Sequence, residues 1–97
     1  DGVGRVLELA ADGFARRLTI AAAPALLRYM VSKGSITVDG VSLTVAGVDD
    51  RSFTVALIPE TLARTNLGRL EPGTTVNLEV DVLAKYVERL MPEMSPR

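Results

Sequence analysis

The dipeptides Asp12-Gly13 and Asp39-Gly40, each set between runs of alternating apolar and polar residues, constrain this chain most. Asp-Gly in that setting signals a tight hairpin, because the primed turns need positive φ at their central residues. Strand-length runs recur at Gly2–Ala10, Phe14–Ala21, Ser35–Val38, Val41–Val48, Ser52–Ile58 and Thr74–Asp81. In the first, Val3, Leu7 and Leu9 share one side with Arg5, the period of a half-buried strand. Pro59 ends the fifth run, since proline cannot donate to a ladder. Pro24–Met30 and Pro59–Arg64 read as short helical turns opened by proline. Asp81 is a natural N-cap for a helix over Val82–Met91, with Leu83, Tyr86, Val87 and Leu90 on one face. Six evenly spaced strands with short connections predict an all-β fold, a small closed antiparallel barrel with a C-terminal α-helix. One domain covers residues 1–91, and residues 92–97 read as a frayed tail.

Composition narrows the chemistry. The 97 residues include 11 Lys+Arg against 12 Asp+Glu, a formal net charge of −1. That balance argues against a nucleic-acid binder, which needs a clustered cationic surplus. No apolar stretch approaches the ~20 residues of a membrane span. The opening DGVGRV is not a signal peptide, and it is not an initiator Met, so the chain reads as a fragment or processed product. No Cys is present, which excludes disulfides, thiolate catalysis and Cys-ligated zinc, and suits a cytoplasmic location. No His is present either, which removes the usual neutral-pH acid–base group.

Chemistry must therefore come from hydroxyls, Lys and carboxylates. Lys33, Asp39, Ser42 and Thr44 lie within twelve residues. Ser42 and Thr44 share one face of a strand that Leu43 does not, and a heterocycle lying across it would take hydrogen bonds from hydroxyls and backbone. Ordinary solvent-facing strand residues are the plainer alternative. The segment Ile58–Gly68 joins a strand to a one-turn helix and offers the N–H groups of Glu60, Thr61 and Leu62 to an oxygen ligand. A simple corner, with Glu60 complementing the helix dipole, is the alternative there. Asn77, Glu79 and Asp81 alternate with Val76, Leu78 and Val80 and make one polar face. The carboxylates show no metal-loop spacing. The apolar stripe of the last helix reads as core or oligomer contact.

Taken together, K-G-S-I-T-V-D-G-V-S-L-T-V, L-I-P-E-T-L-A-R-T-N-L-G, P-G-T-T-V-N-L-E-V-D and K-Y-V-E-R-L, in this order, resemble the C-terminal lumazine-binding domain of the riboflavin synthase family, alpha-chain type. The resemblance covers about nine-tenths of the chain. The D-G-V-S-L-T and I-P-E-T-L forms match the family's C-terminal half; its N-terminal half usually carries Asn-Gly before a Cys. The resemblance implies a six-stranded Greek-key barrel, one of two in the full enzyme. It implies a homotrimer formed through the C-terminal helix, with each active site between the N-terminal barrel of one subunit and the C-terminal barrel of another. The implied reaction is a transferase dismutation of 6,7-dimethyl-8-ribityllumazine to riboflavin and a ribitylamino-pyrimidinedione, without cofactor or metal.

By that resemblance Lys33, Ser42, Leu43, Thr44, Ile58, Pro59, Glu60, Thr61, Leu62 and Ala63 line the lumazine pocket. Ser42 and Asp81 are the implied catalytic groups, with Asp39 close by. Ser42 would donate a hydrogen bond or add at C7 of the partner ring, and Asp81 would orient Ser42 or take a proton. The substrate's C7 methyl is itself acidic, so the protein need only align two rings and stabilise an anion. The N-terminal barrel, and the Gly-His that usually precedes the segment starting at Asp1, are absent. The isolated chain is therefore expected to bind ligand weakly and turn over little. Two other functions compete: a non-enzymatic lumazine or flavin carrier of the same fold, as in bioluminescence antenna proteins, and an oligonucleotide-binding barrel. The last would need exposed aromatics and a basic face, and only Phe14, Tyr29, Phe53 and Tyr86 are available.

Overall fold

A computed structural model describes residues 2–90. Six strands, β1 (Gly2–Asp12), β2 (Ala15–Ala22), β3 (Ser35–Val38), β4 (Val41–Val48), β5 (Ser52–Leu57) and β6 (Thr75–Val80), close into one barrel. Their order around the barrel is β1-β2-β5-β4-β3-β6, and every neighbouring pair is antiparallel. Helix α1 (Pro24–Leu27) follows β2, α2 (Pro59–Arg64) and a 3-10 turn (Leu67–Arg69) follow β5, and α3 (Val82–Leu90) follows β6. All six expected strands are present. Met91 and the expected tail lie outside the described residues.

Alternation builds the core. Val76, Leu78 and Val80 of β6 point inward while Asn77 and Glu79 face outward. Leu43 and Val45 do the same between Ser42, Thr44 and Ala46 on β4. Phe53 is the aromatic at the centre of the core, 1% exposed. Leu27 and Met30 close the end of the barrel where β2 finishes, and Leu67 is buried beyond the end of β5.

The first strand departs from the expected phase. Gly4 and Val6 face the core, whereas Val3 and Leu7 are 57% and 48% exposed. Two features explain the reversal. A bulge between Val6 and Glu8 shifts the register against β2, so that Leu9 packs inward only after the bulge. The wall at Gly4 is also too tight for a side chain: a Cβ there would lie 2.6 Å from Ile20 Cγ2 and 2.9 Å from the Ala21 carbonyl oxygen.

The two Asp-Gly turns differ. Asp39 and Gly40 are the central pair of the β3–β4 hairpin, at φ 48° and 83°, as a type I′ turn requires. In the β1–β2 hairpin Asp12 pairs with Ala15, so the central residues are Gly13 and Phe14. Only Gly13 has positive φ, the type II′ pattern, and Phe14 stands at the tip, 95% exposed. Helix α1 is also shorter than expected. After Leu27 the hydrogen bonds tighten to Tyr29 N–H on Leu26 C=O and Met30 N–H on Leu27 C=O.

Helix α3 leaves the barrel. Asp81 caps it, its carboxylate accepting the Leu83 N–H at 3.0 Å. Lys85 sits over the Tyr29 ring, 5.8 Å from its centroid, and ties the helix to the segment after α1. The stripe Leu83, Tyr86, Val87 and Leu90 is exposed rather than part of this barrel's core.

A candidate ligand slot in the barrel wall

The β4–β5 ladder runs only from Val48↔Phe53 to Val45↔Val55. Past Val45, β4 continues to Val41 paired with β3, and past Val55, β5 continues to Leu57 paired with β2. A short slot therefore opens between two strands that are each held on their far side.

Backbone polarity shows what the slot offers. Val45 donates its N–H to the Gly34 carbonyl (2.8 Å) and accepts from the Lys33 N–H (2.7 Å), so Val45 is turned toward the β3 side. Direction alternates along an antiparallel strand, so Thr44 and Ser42 turn their N–H and C=O toward β5. On the other lip, Arg51 accepts from the Ala22 N–H at 3.1 Å, which turns Phe53, Val55 and Leu57 toward β2 and Ala56 toward β4. Ser42 thus presents backbone donor and acceptor where the ladder has ended. Its hydroxyl and that of Thr44 stand on the outer face, both residues exposed.

The floor around these hydroxyls is low. Ala46 and Ala56 are the outward residues beside them on β4 and β5, and both are exposed. A planar ring can lie close to the strands there because no large side chain intervenes. Ala56 was not anticipated; a small residue between Val55 and Leu57 in a strand otherwise rich in larger side chains was its signal in the sequence.

Helix α2 rises at the end of the slot. Pro59 opens it, and Thr65 closes it, donating its hydroxyl to the Thr61 carbonyl (2.8 Å) and accepting the Leu67 N–H (3.2 Å). One expectation needs correction: the Leu62 N–H donates to the Ile58 carbonyl at 3.0 Å, as the first turn of the helix demands. Only the N–H groups of Glu60 and Thr61 are left to point out of the helix start. Ile58 is half exposed at the rim, and Leu62 packs partly against the core.

The structure gathers some expected site residues and disperses others. Ser42 and Thr44 stand on β4 where its ladder with β5 has ended, and the Ile58–Ala63 segment follows directly from β5, with Leu62 and Ala63 lining a cleft that also holds Arg16. Leu43 is buried in the core, so only its backbone reaches the wall. Lys33 is exposed on the β3 side of β4, across that strand from the slot, and holds φ 72°. Asp39 lies at the β3–β4 hairpin and its carboxylate accepts the Asn77 N–H at 2.7 Å. Asp81 follows Val80, which pairs with Ile36, and its carboxylate caps α3. Two strand spacings, about 10 Å, separate β6 from β4, so Asp81 follows a strand that is not a direct neighbour of the one that carries Ser42. A cleft of about 580 Å³ lies elsewhere, between α1 and the β4–β5 turn, lined by Arg28, Met30 and Asp49 among others.

The carboxylate of Asp49 shapes that turn. It accepts the N–H groups of Arg51 and Ser52, each at 2.8 Å. These bonds to the charged form, the Arg51 N–H first, hold its pKa below the usual aspartate value.

Known proteins decide the family. The model of the lumazine binding domain matches residues 1–81. This chain belongs to the lumazine-binding domain family. Among curated proteins it is 45% identical over 91 residues to the riboflavin synthase of Actinobacillus pleuropneumoniae, covering 94% of this chain and 42% of that protein. It is 63% identical over 67 residues to the riboflavin synthase of Mycobacterium tuberculosis (strain ATCC 25618 / H37Rv), covering 66% of this chain and 33% of that one. The chain thus spans less than half the length of these relatives. Among solved structures it resembles LumP complexed with 6,7-dimethyl-8-(1'-D-ribityl) lumazine, with TM-score 0.76 and 26% identity over 82% of this chain and 44% of that one. LumP complexed with flavin mononucleotide gives TM-score 0.77 at 26% identity, covering 84% and 46%. The lumazine-binding barrel is the closed six-stranded barrel described above. No helix among the described residues is long and apolar enough to cross a membrane.

Proposed function

We propose that this chain is the C-terminal, lumazine-binding half of a riboflavin synthase. The observation that carries the reading is the interrupted β4–β5 ladder, which sets the Ser42 backbone and the Ser42 and Thr44 hydroxyls beside the start of α2. A pteridine has a flat, apolar face and an edge of alternating donors and acceptors. A strand edge matches that edge, and the alanine floor matches the face. The relatives named riboflavin synthase and the LumP complexes supply the ligand class.

In this reading a 6,7-dimethyl-8-ribityllumazine lies over Ser42, Thr44 and Ala56, with its carbonyl edge toward Glu60, Thr61 and Ile58. A second lumazine, on the N-terminal barrel of a neighbouring subunit, is stacked against it. The acidic C7 methyl of one ring gives up a proton to solvent and becomes a delocalised anion, and a four-carbon unit passes from one ring to the other to give riboflavin and the pyrimidinedione. No metal or cofactor enters. The chain's contribution is alignment, and the Ser42 hydroxyl is the group placed to hydrogen-bond the reacting ring. Asp39 and Asp81 serve this site by holding the hairpin and the α3 start in place, and Lys33 supplies charge from across β4. The exposed stripe of α3 is the surface through which three cytoplasmic subunits associate.

Turnover by the full-length protein tests the reading and separates it from a carrier role. Ser42→Ala should lower kcat and leave folding intact. Unchanged turnover would remove Ser42 from the chemistry, and saturable lumazine binding with no turnover by the wild type would favour the carrier.

A further inference from the structure

Arg16, Arg64 and Arg69 line one cleft of about 310 Å³ at the end of the barrel that α2 and the 3-10 turn cover. Thr65, Asn66 and Gly68 complete its polar wall, and no acidic residue lines it. The three arginines come from three different elements, brought together only by the fold. Arg16 is fixed: its Nη1 donates to the Gly68 carbonyl at 3.0 Å, a contact across 52 residues of chain. A guanidinium has five N–H donors, so this bond orients the group and leaves others for a ligand. Arg64 Nη2 lies 3.3 Å from Glu60 Oε2, an exposed pair on one face of α2. Exposed pairs of this kind are weak, so a better anion can displace the carboxylate. In a chain of net charge −1, three arginines lining one cleft are a local concentration of positive charge, only part of it offset by the exposed Glu60 beside Arg64.

We propose that this cleft is an oxyanion site that takes a phosphoryl group. Planar guanidinia match the tetrahedral oxygens of phosphate by paired N–H donors, and their charge is constant at any physiological pH. The cleft adjoins the slot-side segment, but the proposal does not rest on the lumazine reading. Leu62 and Ala63 border both the cleft and the slot-side segment, so a phosphoryl group carried on a flavin side chain and free phosphate share the same chemistry here.

The test is a titration of the 97-residue chain with inorganic phosphate at low ionic strength, followed by backbone amide NMR shifts. Saturable shifts concentrated at Asn66, Gly68 and Arg69 are expected. Arg69→Gln should weaken the fitted affinity about threefold or more, since one charge-assisted contact is lost, whereas Arg51→Gln, away from the cleft, should not. Glu60→Gln should tighten it by releasing Arg64. Each variant's unperturbed spectrum away from the substitution reports that it is folded. Shifts that do not saturate, or that weaken equally in Arg69→Gln and Arg51→Gln, would overturn the proposal. Riboflavin and flavin mononucleotide distinguish the source. A preference for the phosphorylated flavin that Arg69→Gln abolishes assigns the site to a ligand-borne phosphoryl group; equal binding of the two flavins, with phosphate still saturating, assigns it to free phosphate.

Discussion

Asp39 and Asn77, 38 residues apart, are joined twice: the Asp39 carboxylate accepts the Asn77 N–H at 2.7 Å, and the Asp39 N–H donates to the Asn77 carbonyl at 2.8 Å. The β3–β4 hairpin is thereby clamped to β6 next to the Val38↔Leu78 pair, where the β3–β6 ladder ends. A turn residue with positive φ has become a strand tie.

Asp39→Ala should therefore cost about 0.5–1.5 kcal/mol of stability, the worth of one exposed hydrogen bond to the Asn77 N–H. Asp39→Asn keeps both an acceptor and tolerance of positive φ, and should restore most of the loss. Urea unfolding of the three proteins measures this. Riboflavin affinity should be unchanged in the asparagine variant; a large loss of affinity at full stability would return Asp39 to the pocket.

Gly4→Ala should destabilise the barrel by about 1–3 kcal/mol, the usual range for overpacking a core. The added methyl would meet the Ala21 backbone oxygen at 2.9 Å, which cannot move aside without opening the β1–β2 ladder. Gly13→Ala also acts through conformation, since Gly13 sits at φ 65°, but there a methyl meets nothing within 4 Å. Thermal unfolding compares the two; an unaltered Tm for Gly4→Ala would contradict the packing described.

Such contrasts show what was legible in the sequence. The hairpin at Asp39-Gly40, the Pro59 stop and the alternation of Val76, Leu78 and Val80 depend on neighbours in sequence, and each was readable. The phase of β1 was not, because the bulge at Leu7 and the tight wall at Gly4 are set by β2 and β6. The slot was half legible. Ser42, Thr44 and the Pro59 segment stood out as types of residue, but where a ladder stops depends on the twist of two strands against their other partners. Asp81 as the cap of α3 was legible, since its partner Leu83 is two residues on, whereas the tie from the Asp39 carboxylate to Asn77 was hidden, because that partner lies 38 residues away.

The Asp49 carboxylate makes the β4–β5 turn acid-sensitive. Its pKa is depressed on folding by the Arg51 and Ser52 N–H groups. The stabilisation is thus complete above the unfolded value of about 3.8 and is lost as pH falls through the lower, folded value. Amide exchange at Arg51 and Ser52 should accelerate over that acidic window. Asp49→Asn should show no such step. Acceleration on raising the pH above neutrality, after correction for base catalysis, would carry the wrong sign.

The exposed stripe of α3 should govern self-association. Leu83→Glu with Leu90→Glu should lower the oligomeric state seen in sedimentation while leaving the barrel's unfolding transition in place, because neither side chain packs in the core. A double variant that sediments as the parent does would exclude this face as the contact.

Fluorescence titration with 6,7-dimethyl-8-ribityllumazine and riboflavin would show whether the ligand lies in the slot where the β4–β5 ladder ends. Saturable binding by the chain is expected, weakened roughly threefold to thirtyfold by Ser42→Ala, since one hydrogen bond is worth about 0.5–1.5 kcal/mol and a buried partner left unpaired somewhat more. Ala56→Leu, which raises the floor without touching the core, should abolish binding at unchanged Tm. Full affinity in a folded Ala56→Leu variant would contradict the account and move the ligand elsewhere on the barrel.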